Sequence, residues 1–153
     1  VIELDPNDGE AAPGRRAGCE AYLEQAGIPW STVRVAVGHG TTRGGYAAAA
    51  RLLTDHPWLT GLVCGNDRMA MGAYDAIREQ GLRVRDDVAV IGIDDQELIA
   101  DQLHPALTTV ALPFEEMGQV AASHLLALME GEEVPAETLL PGQIIRRSSA
   151  WHP

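Results

Sequence analysis

A chain of 153 residues, 46% hydrophobic and 22% charged, can bury a core of its own and is too apolar to stay unfolded. Its net charge of −11 argues against a surface that grips nucleic acid or an anionic membrane, because phosphate contacts need clustered cations. All 11 basic residues are arginines, which excludes Schiff-base and lysine-dependent phosphoryl chemistry.

In chain order, residues 1–4 make a short strand, and Asp5-Pro6-Asn7-Asp8-Gly9 opens a loop that reaches Gly14. A helix is predicted over residues 15–25, with Cys19, Tyr22, Leu23 and Ala26 as its buried stripe and Gly27 and Pro29 as its end. Val33 to Val37 alternates in part and reads as a strand near a sheet edge. The loop Gly38-His39-Gly40-Thr41-Thr42-Arg43-Gly44-Gly45 leads into a second helix, with Tyr46, Ala49, Ala50 and Leu53 on one face and Pro57 closing it.

The central unit comes next. Gly61-Leu62-Val63-Cys64-Gly65-Asn66-Asp67 is an apolar run that stops at small and polar residues. A third helix places Ala70, Ala73, Tyr74 and Ile77 on one face; Asn66 or Asp67 caps it and Gly81 ends it. After a polar loop, Val88-Ala89-Val90-Ile91-Gly92-Ile93 is apolar on both faces, as expected of a strand inside a parallel sheet. Strands alternating with helices imply βαβ crossovers and an α/β fold with a parallel sheet flanked by helices. Both central strands end in polar groups, Asn66-Asp67 and Asp94-Asp95, where ligands bind in open sheets of this kind. Residues 96–103 read as a short helical turn and 107–112 as extended. A last helix carries Phe114, Met117, Ala121, Leu125 and Leu128 as its apolar face, and residues 143–146 form a final strand.

Asp94 and Asp95 are sequence neighbours at a strand end, so their side chains point apart and do not form an acid/base pair. One is expected to face the crevice and the other to cap backbone N–H groups. Asn66 offers a donor and an acceptor, suited either to a polyol or to capping a helix. Arg15 stands at a helix start, where the dipole disfavours a cation, so it either reaches a ligand or solvates a surface turn. The glycine loop at 38–45 is neither G-x-x-x-x-G-K-[ST] nor G-x-G-x-x-G, which demotes a phosphate- or nucleotide-binding reading. The five histidines show no metal spacing, no serine lies in a G-x-S-x-G elbow, and no cofactor or enzymatic activity is expected. Cys19 and Cys64 are isolated, as thiols of a reducing cytosol are. With no export signal or membrane span, a cytoplasmic protein is expected, and the opening on Val1 reads as a start within a fold.

Gly65-Asn66-Asp67-x-Met69-Ala70-x-Gly72, Val90-Ile91-Gly92-Ile93-Asp94-Asp95, Pro105-Ala106-Leu107-Thr108-Thr109-Val110, Gly118 with Ala121-Ala122 and Leu125-Leu126, and Arg147-Ser148-Ser149 together resemble the effector domain of LacI/GalR-type transcriptional regulators. The resemblance implies a periplasmic-binding-protein-like domain of two lobes. Residues 1–109 and 142–150 would form the C-terminal lobe, and the 113–131 helix would belong to a second, mostly absent lobe. It implies a small polar, sugar-like effector touched by Arg15, Asn66 and Asp94, with His39 beside the loop position that in the family often carries a stacking aromatic. Asp67 is then expected to take over the helix cap. It also implies a homodimer through Ala70, Met71, Tyr74, Leu98 and Gln102, with Met71 as an exposed anchor, and DNA contact only through a headpiece that is not in this chain. A periplasmic-type sugar-binding protein shares the architecture and is the first alternative reading; a flavodoxin-like phosphate- or nucleotide-binding domain is the second.

Overall fold

The computed structural model describes residues 1–3, 5 and 11–150. Most of the loop expected before the first helix, with Leu4 at the end of the first strand, lies outside those residues.

The elements run β1 (Ile2–Glu3), α1 (Ala11–Gln25), β2 (Ala36–Val37), α2 (Thr42–Asp55), β3 (Gly61–Val63), α3 (Asp67–Glu79), β4 (Ala89–Asp94), β5 (Thr108–Ala111), α4 (Phe114–Met129) and β6 (Gln143–Ile145). β1 pairs in parallel with β2, and β3, β4 and β5 form a parallel run to which β6 adds antiparallel. A single parallel bridge, Ile2 with Cys64, joins the two groups at the β1–β3 seam. The spatial order is therefore β2-β1-β3-β4-β5-β6. Parallel neighbours need crossovers, and α1, α2 and α3 supply them between β1 and β2, β2 and β3, and β3 and β4.

The core lies between α2, α3 and one face of the sheet. Ile2, Leu62, Cys64 and Val90 point into it from the strands, and Ala70, Ala73, Tyr74 and Ile77, the stripe expected from periodicity, meet them from α3. On α2 the fully buried positions are Gly45, Ala48, Ala49, Leu52 and Leu53, with Tyr46 and Ala50 packed at the margin. The other sheet face is less covered: Val63, Ala89, Ile91 and Ile93 are only partly buried. Apolar residues on both faces of β4 thus overstate how evenly it is buried.

Three expectations need correction. Helix α1 starts at Ala11, not Arg15, because proline in a first turn gives up only an N–H that has no helical partner there, so Pro13 does not delay it. Its stripe is also misplaced: Tyr22 is 72% exposed and Ala26 is exposed, while Ala12, Arg15, Cys19 and Leu23 face the sheet to differing degrees. Residues 96–103, by contrast, form the short helical turns expected of them, Ala100 N–H to the Gln96 carbonyl and Leu103 N–H to the Ile99 carbonyl. Helix α4 buries none of its residues, and its expected apolar face is exposed.

The segment Arg147–Ser149 straps the sheet. Ser149 is fully buried; its hydroxyl donates to the Val90 carbonyl (2.6 Å) and accepts from Thr108 N–H (2.8 Å). Val90 N–H in turn donates to the Ser149 carbonyl, and Ser148 and Ser149 N–H both reach the Ala106 carbonyl. The serine fills the gap where β4 and β5 begin and pairs the Thr108 N–H and both backbone groups of Val90.

Candidate functional site

Parallel strands leave their carboxyl ends along one rim. Here β1 ends at Glu3, β3 runs on through Cys64 and Gly65 to Asn66, and β4 ends at Asp94. The strand order reverses between β1 and β3, which is where a crevice opens in sheets of this type.

Arg15 reaches across this rim from α1. Its Nη1 donates to the Gly65 carbonyl (2.8 Å) and its Nη2 to Asp94 Oδ1 (3.3 Å), tying three elements together through one guanidinium. The pair is partly buried, with 25% of the Arg15 side chain and 15% of that of Asp94 exposed. The second Asp94 oxygen accepts from the Gln96 side-chain amide (3.1 Å). The residues expected at the site from α1 and β4 are therefore in direct contact.

Asn66 sits next to Gly65 and is nearly fully buried. Its Oδ1 accepts from Met69 N–H (2.9 Å), which makes it the N-cap of α3, and its Nδ2 donates to the Gly40 carbonyl (3.1 Å). The expectation that Asp67 would handle the cap is thus reversed. An N-cap side chain must sit one residue before the first helical turn to reach its N–H groups, and that position is Asn66. His39 belongs to the loop that Asn66 touches at Gly40; its backbone has φ +50°, its ring is largely exposed, and its Nδ1 lies 3.1 Å from Asp5 Oδ2.

Asp67 is the second polar residue at this rim, and sequence reasoning missed the partners that hold it. It is fully buried, with Oδ1 accepting from the Thr109 hydroxyl (2.6 Å) and Oδ2 from Gln96 N–H (2.8 Å). Burial pushes its carboxyl above the ordinary value, against the opposing pull of the Thr109 and Gln96 hydrogen bonds. Among the described residues Asp95 caps no backbone N–H; it pairs with Arg147 at 2.7 Å, while Asp67 serves the N–H that a cap would have taken. Asp94 and Asp95 both adopt positive φ, +118° and +55°, so the chain leaves β4 through a left-handed turn held by side chains. Glu3 and Arg16 also escaped notice: they pair at 3.7 Å, and Arg16 lies over the Trp30 ring at 5.4 Å. A charged residue ending an apolar strand was the available signal for Glu3.

The five positions expected at a dimer face divide. Ala70 and Tyr74 are fully buried in the chain's own core, and the Tyr74 hydroxyl donates to the Pro105 carbonyl (2.9 Å), so neither can meet a partner. The resemblance marks the whole turn from Ala70 to Tyr74, and only part of it faces outward. Met71 is half-buried, while Leu98 (88% exposed) and Gln102 stand on the surface. Burial lifts the Cys64 thiol to about 12, leaving it inert as a nucleophile.

A sheet of this order with a polar rim at its switch point defines a ligand-binding α/β domain. Residues 2–150 match the model of the periplasmic binding protein-like domain family. The chain belongs to that family. It is 33% identical to the lactose operon repressor of Escherichia coli over 139 residues, which are 91% of this chain and 38% of that one. It is 37% identical to the HTH-type transcriptional repressor PurR of Yersinia pestis over 142 residues, 92% of this chain and 41% of that protein. Its structure matches the crystal structure of the Lac repressor dimer bound to operator and the anti-inducer ONPF with a TM-score of 0.90 at 31% identity, covering 99% of this chain and 45% of that one. The chain thus spans less than half the length of these relatives. Among the described residues, no helix is long and apolar enough to cross a membrane.

Proposed function

We propose that this chain supplies one wall of the effector cleft in a LacI-type transcriptional regulator, and that the effector is a small polar molecule of sugar-like chemistry. The observation that carries the reading is the convergence of Arg15, Gly65 and Asp94 at the strand switch point, with Asn66 and His39 on the adjoining loops. A guanidinium and a carboxylate already joined make a nearly neutral donor–acceptor pair, matched to hydroxyl groups that both give and take hydrogen bonds. Asn66 contributes its second amide proton, beyond the one given to Gly40.

In this reading residues 1–109 and 142–150 are one lobe, and α4 belongs with a second that closes over the effector. Met71, Leu98 and Gln102 lie at the contact between two copies, and DNA is read by a separate headpiece, in the cytoplasm. Lobe closure on the effector alters the spacing of paired headpieces. The relatives named as repressors support regulation over catalysis.

The test is calorimetric titration of the intact regulator with a panel of neutral saccharides and nucleobases. Asp94→Ala and Asn66→Ala should each weaken binding of the active compound, by about 2–5 kcal/mol for the charged contact. Unchanged affinity in both variants overturns the reading.

A further inference from the structure

Asp67 has no part in the contacts just proposed, yet three features are arranged around it. It is the first residue of α3, where the helix dipole favours a negative charge. Its two oxygens are each given one donor, the Thr109 hydroxyl on β5 and the Gln96 backbone N–H just past β4. The carboxylate lies across β4 at Gly92, where an added Cβ would come within 2.1 Å of Oδ1, so the strand gives up a side chain to admit it.

The Gln96 end of this arrangement bears on the rim. Asp94 and Asp95, the two residues before Gln96, both hold positive φ, a conformation residues with side chains rarely adopt unaided. The turn is pinned at three points: Asp94 by Arg15, Asp95 by Arg147, and Gln96 N–H by Asp67. Of the three anchors, only Asp67 is fully buried.

We propose that Asp67 is a positioning residue of the effector site: by accepting the Gln96 N–H it fixes the left-handed turn at Asp94-Asp95 and so holds the Asp94 carboxylate in register with Arg15. Asp67 does not touch the effector. The inference rests on the reading that Asp94 does, and the two are separable by experiment.

The experiment uses the intact regulator and reads the turn without any ligand, by hydrogen exchange at the Gln96 amide and by the NMR signal of the Arg15 guanidinium. Asp67→Ala should speed Gln96 exchange about tenfold or more, as loss of one buried hydrogen bond implies, and shift the Arg15 signal towards that of a free side chain. Asp67→Asn should restore both, since its carbonyl can face Gln96 N–H while its amide donates to the Thr109 oxygen. Gly92→Ala, which displaces the carboxylate without deleting it, should reproduce the Asp67→Ala signature and keeps the test open if that variant does not fold. Thr109→Val should leave Gln96 within about threefold of wild type if the Gln96 arm alone matters. A folded Asp67→Ala or Gly92→Ala protein with wild-type Gln96 exchange and an unmoved Arg15 signal overturns the proposal. The effector reading fails on different grounds: saccharide and nucleobase affinities indifferent to Asp94→Asn would sink it while leaving the pinned turn intact.

Discussion

Gly45 and Gly72 sit back to back across the seam between α2 and α3. A Cβ on Gly45 would lie 2.3 Å from the Met69 carbonyl oxygen, and one on Gly72 would lie 2.0 Å from that of Thr42. Each helix thus lets the other's backbone come closer than any side chain permits, and the Ala48, Ala49 and Ala73 faces fill what remains of the seam.

From this contact we expect Gly45→Ala and Gly72→Ala to force the helices apart despite alanine's better helix propensity. The gain in propensity is about 1 kcal/mol, and overpacking against rigid backbone should exceed it, for a net loss of about 1–3 kcal/mol. Urea denaturation of the intact regulator checks this; a stabilised Gly72→Ala variant would refute the close approach.

Ser149→Ala should be more damaging than its conservative character suggests. Removing the hydroxyl strands the Thr108 N–H and the Val90 carbonyl in a fully buried place. The expected loss is about 2–4 kcal/mol, from two unpaired groups. Cysteine at this position should recover only part of it, because a thiol is a weak hydrogen-bonding partner.

Asp67 also sets a pH signature. Its carboxyl is held above the ordinary 3.8 mainly by burial, so the folded state binds this proton more tightly than the unfolded chain does. The stability contributed by the protonated form is complete below 3.8 and is lost as pH rises through the raised folded value. Against Asp67→Asn, a neutral isostere, the wild type should therefore lose relative stability from about pH 4 upward and level off once the folded group is ionised. Denaturant midpoints of both proteins across pH 3–7 give the comparison, and a difference that grows in favour of wild type over that window would contradict the assignment.

Met71 and Leu98 are the apolar positions left for a partner once Ala70 and Tyr74 are assigned to the core. Leu98→Asp in the intact regulator should raise the dimer dissociation constant by about tenfold or more, as removal of an interface anchor does. Tyr74→Phe should lower stability by about 1 kcal/mol, the worth of its bond to Pro105, and leave association alone. Sedimentation equilibrium distinguishes the two.

The architecture was legible where periodicity is strong and local. The α3 stripe at Ala70, Ala73, Tyr74 and Ile77, the strands on either side of it and the polar ends at Asn66 and Asp94 all follow from spacing alone. What sequence could not supply was the choice between two polar neighbours. Asn66 and Asp67 are equally good caps on paper; which one takes the task depends on Thr109 and Gln96 lying ready to receive the other, and those come from 42 and 29 residues away. The same holds for Asp95, whose partner Arg147 arrives from the far end of the chain. The stripe of α1 failed for another reason: the helix covers only the sparsely packed sheet face, so apolar residues such as Tyr22 have nothing to bury against.

Helix α4 offers a contrast in local stability. Sixteen residues without one buried side chain are close to an isolated helix, which is marginal in water. In this chain its amides should exchange with solvent about as fast as those of a fraying segment, orders of magnitude ahead of α3. Equal protection of the two helices would show that α4 has found cover.

The strap at Arg147–Ser149 bears on how the protein is made. Ser149 closes against Val90 from 59 residues downstream, so every strand from β1 to β5 leaves the ribosome before the piece that completes the mouth of β4 and β5 exists. Until then Thr108 N–H and the Val90 carbonyl must rely on water, and the growing polypeptide holds an unfinished sheet that is open to stray pairing. Final consolidation therefore waits until Ser149 has been made, and premature termination just short of it should yield an insoluble product rather than a slightly weakened one.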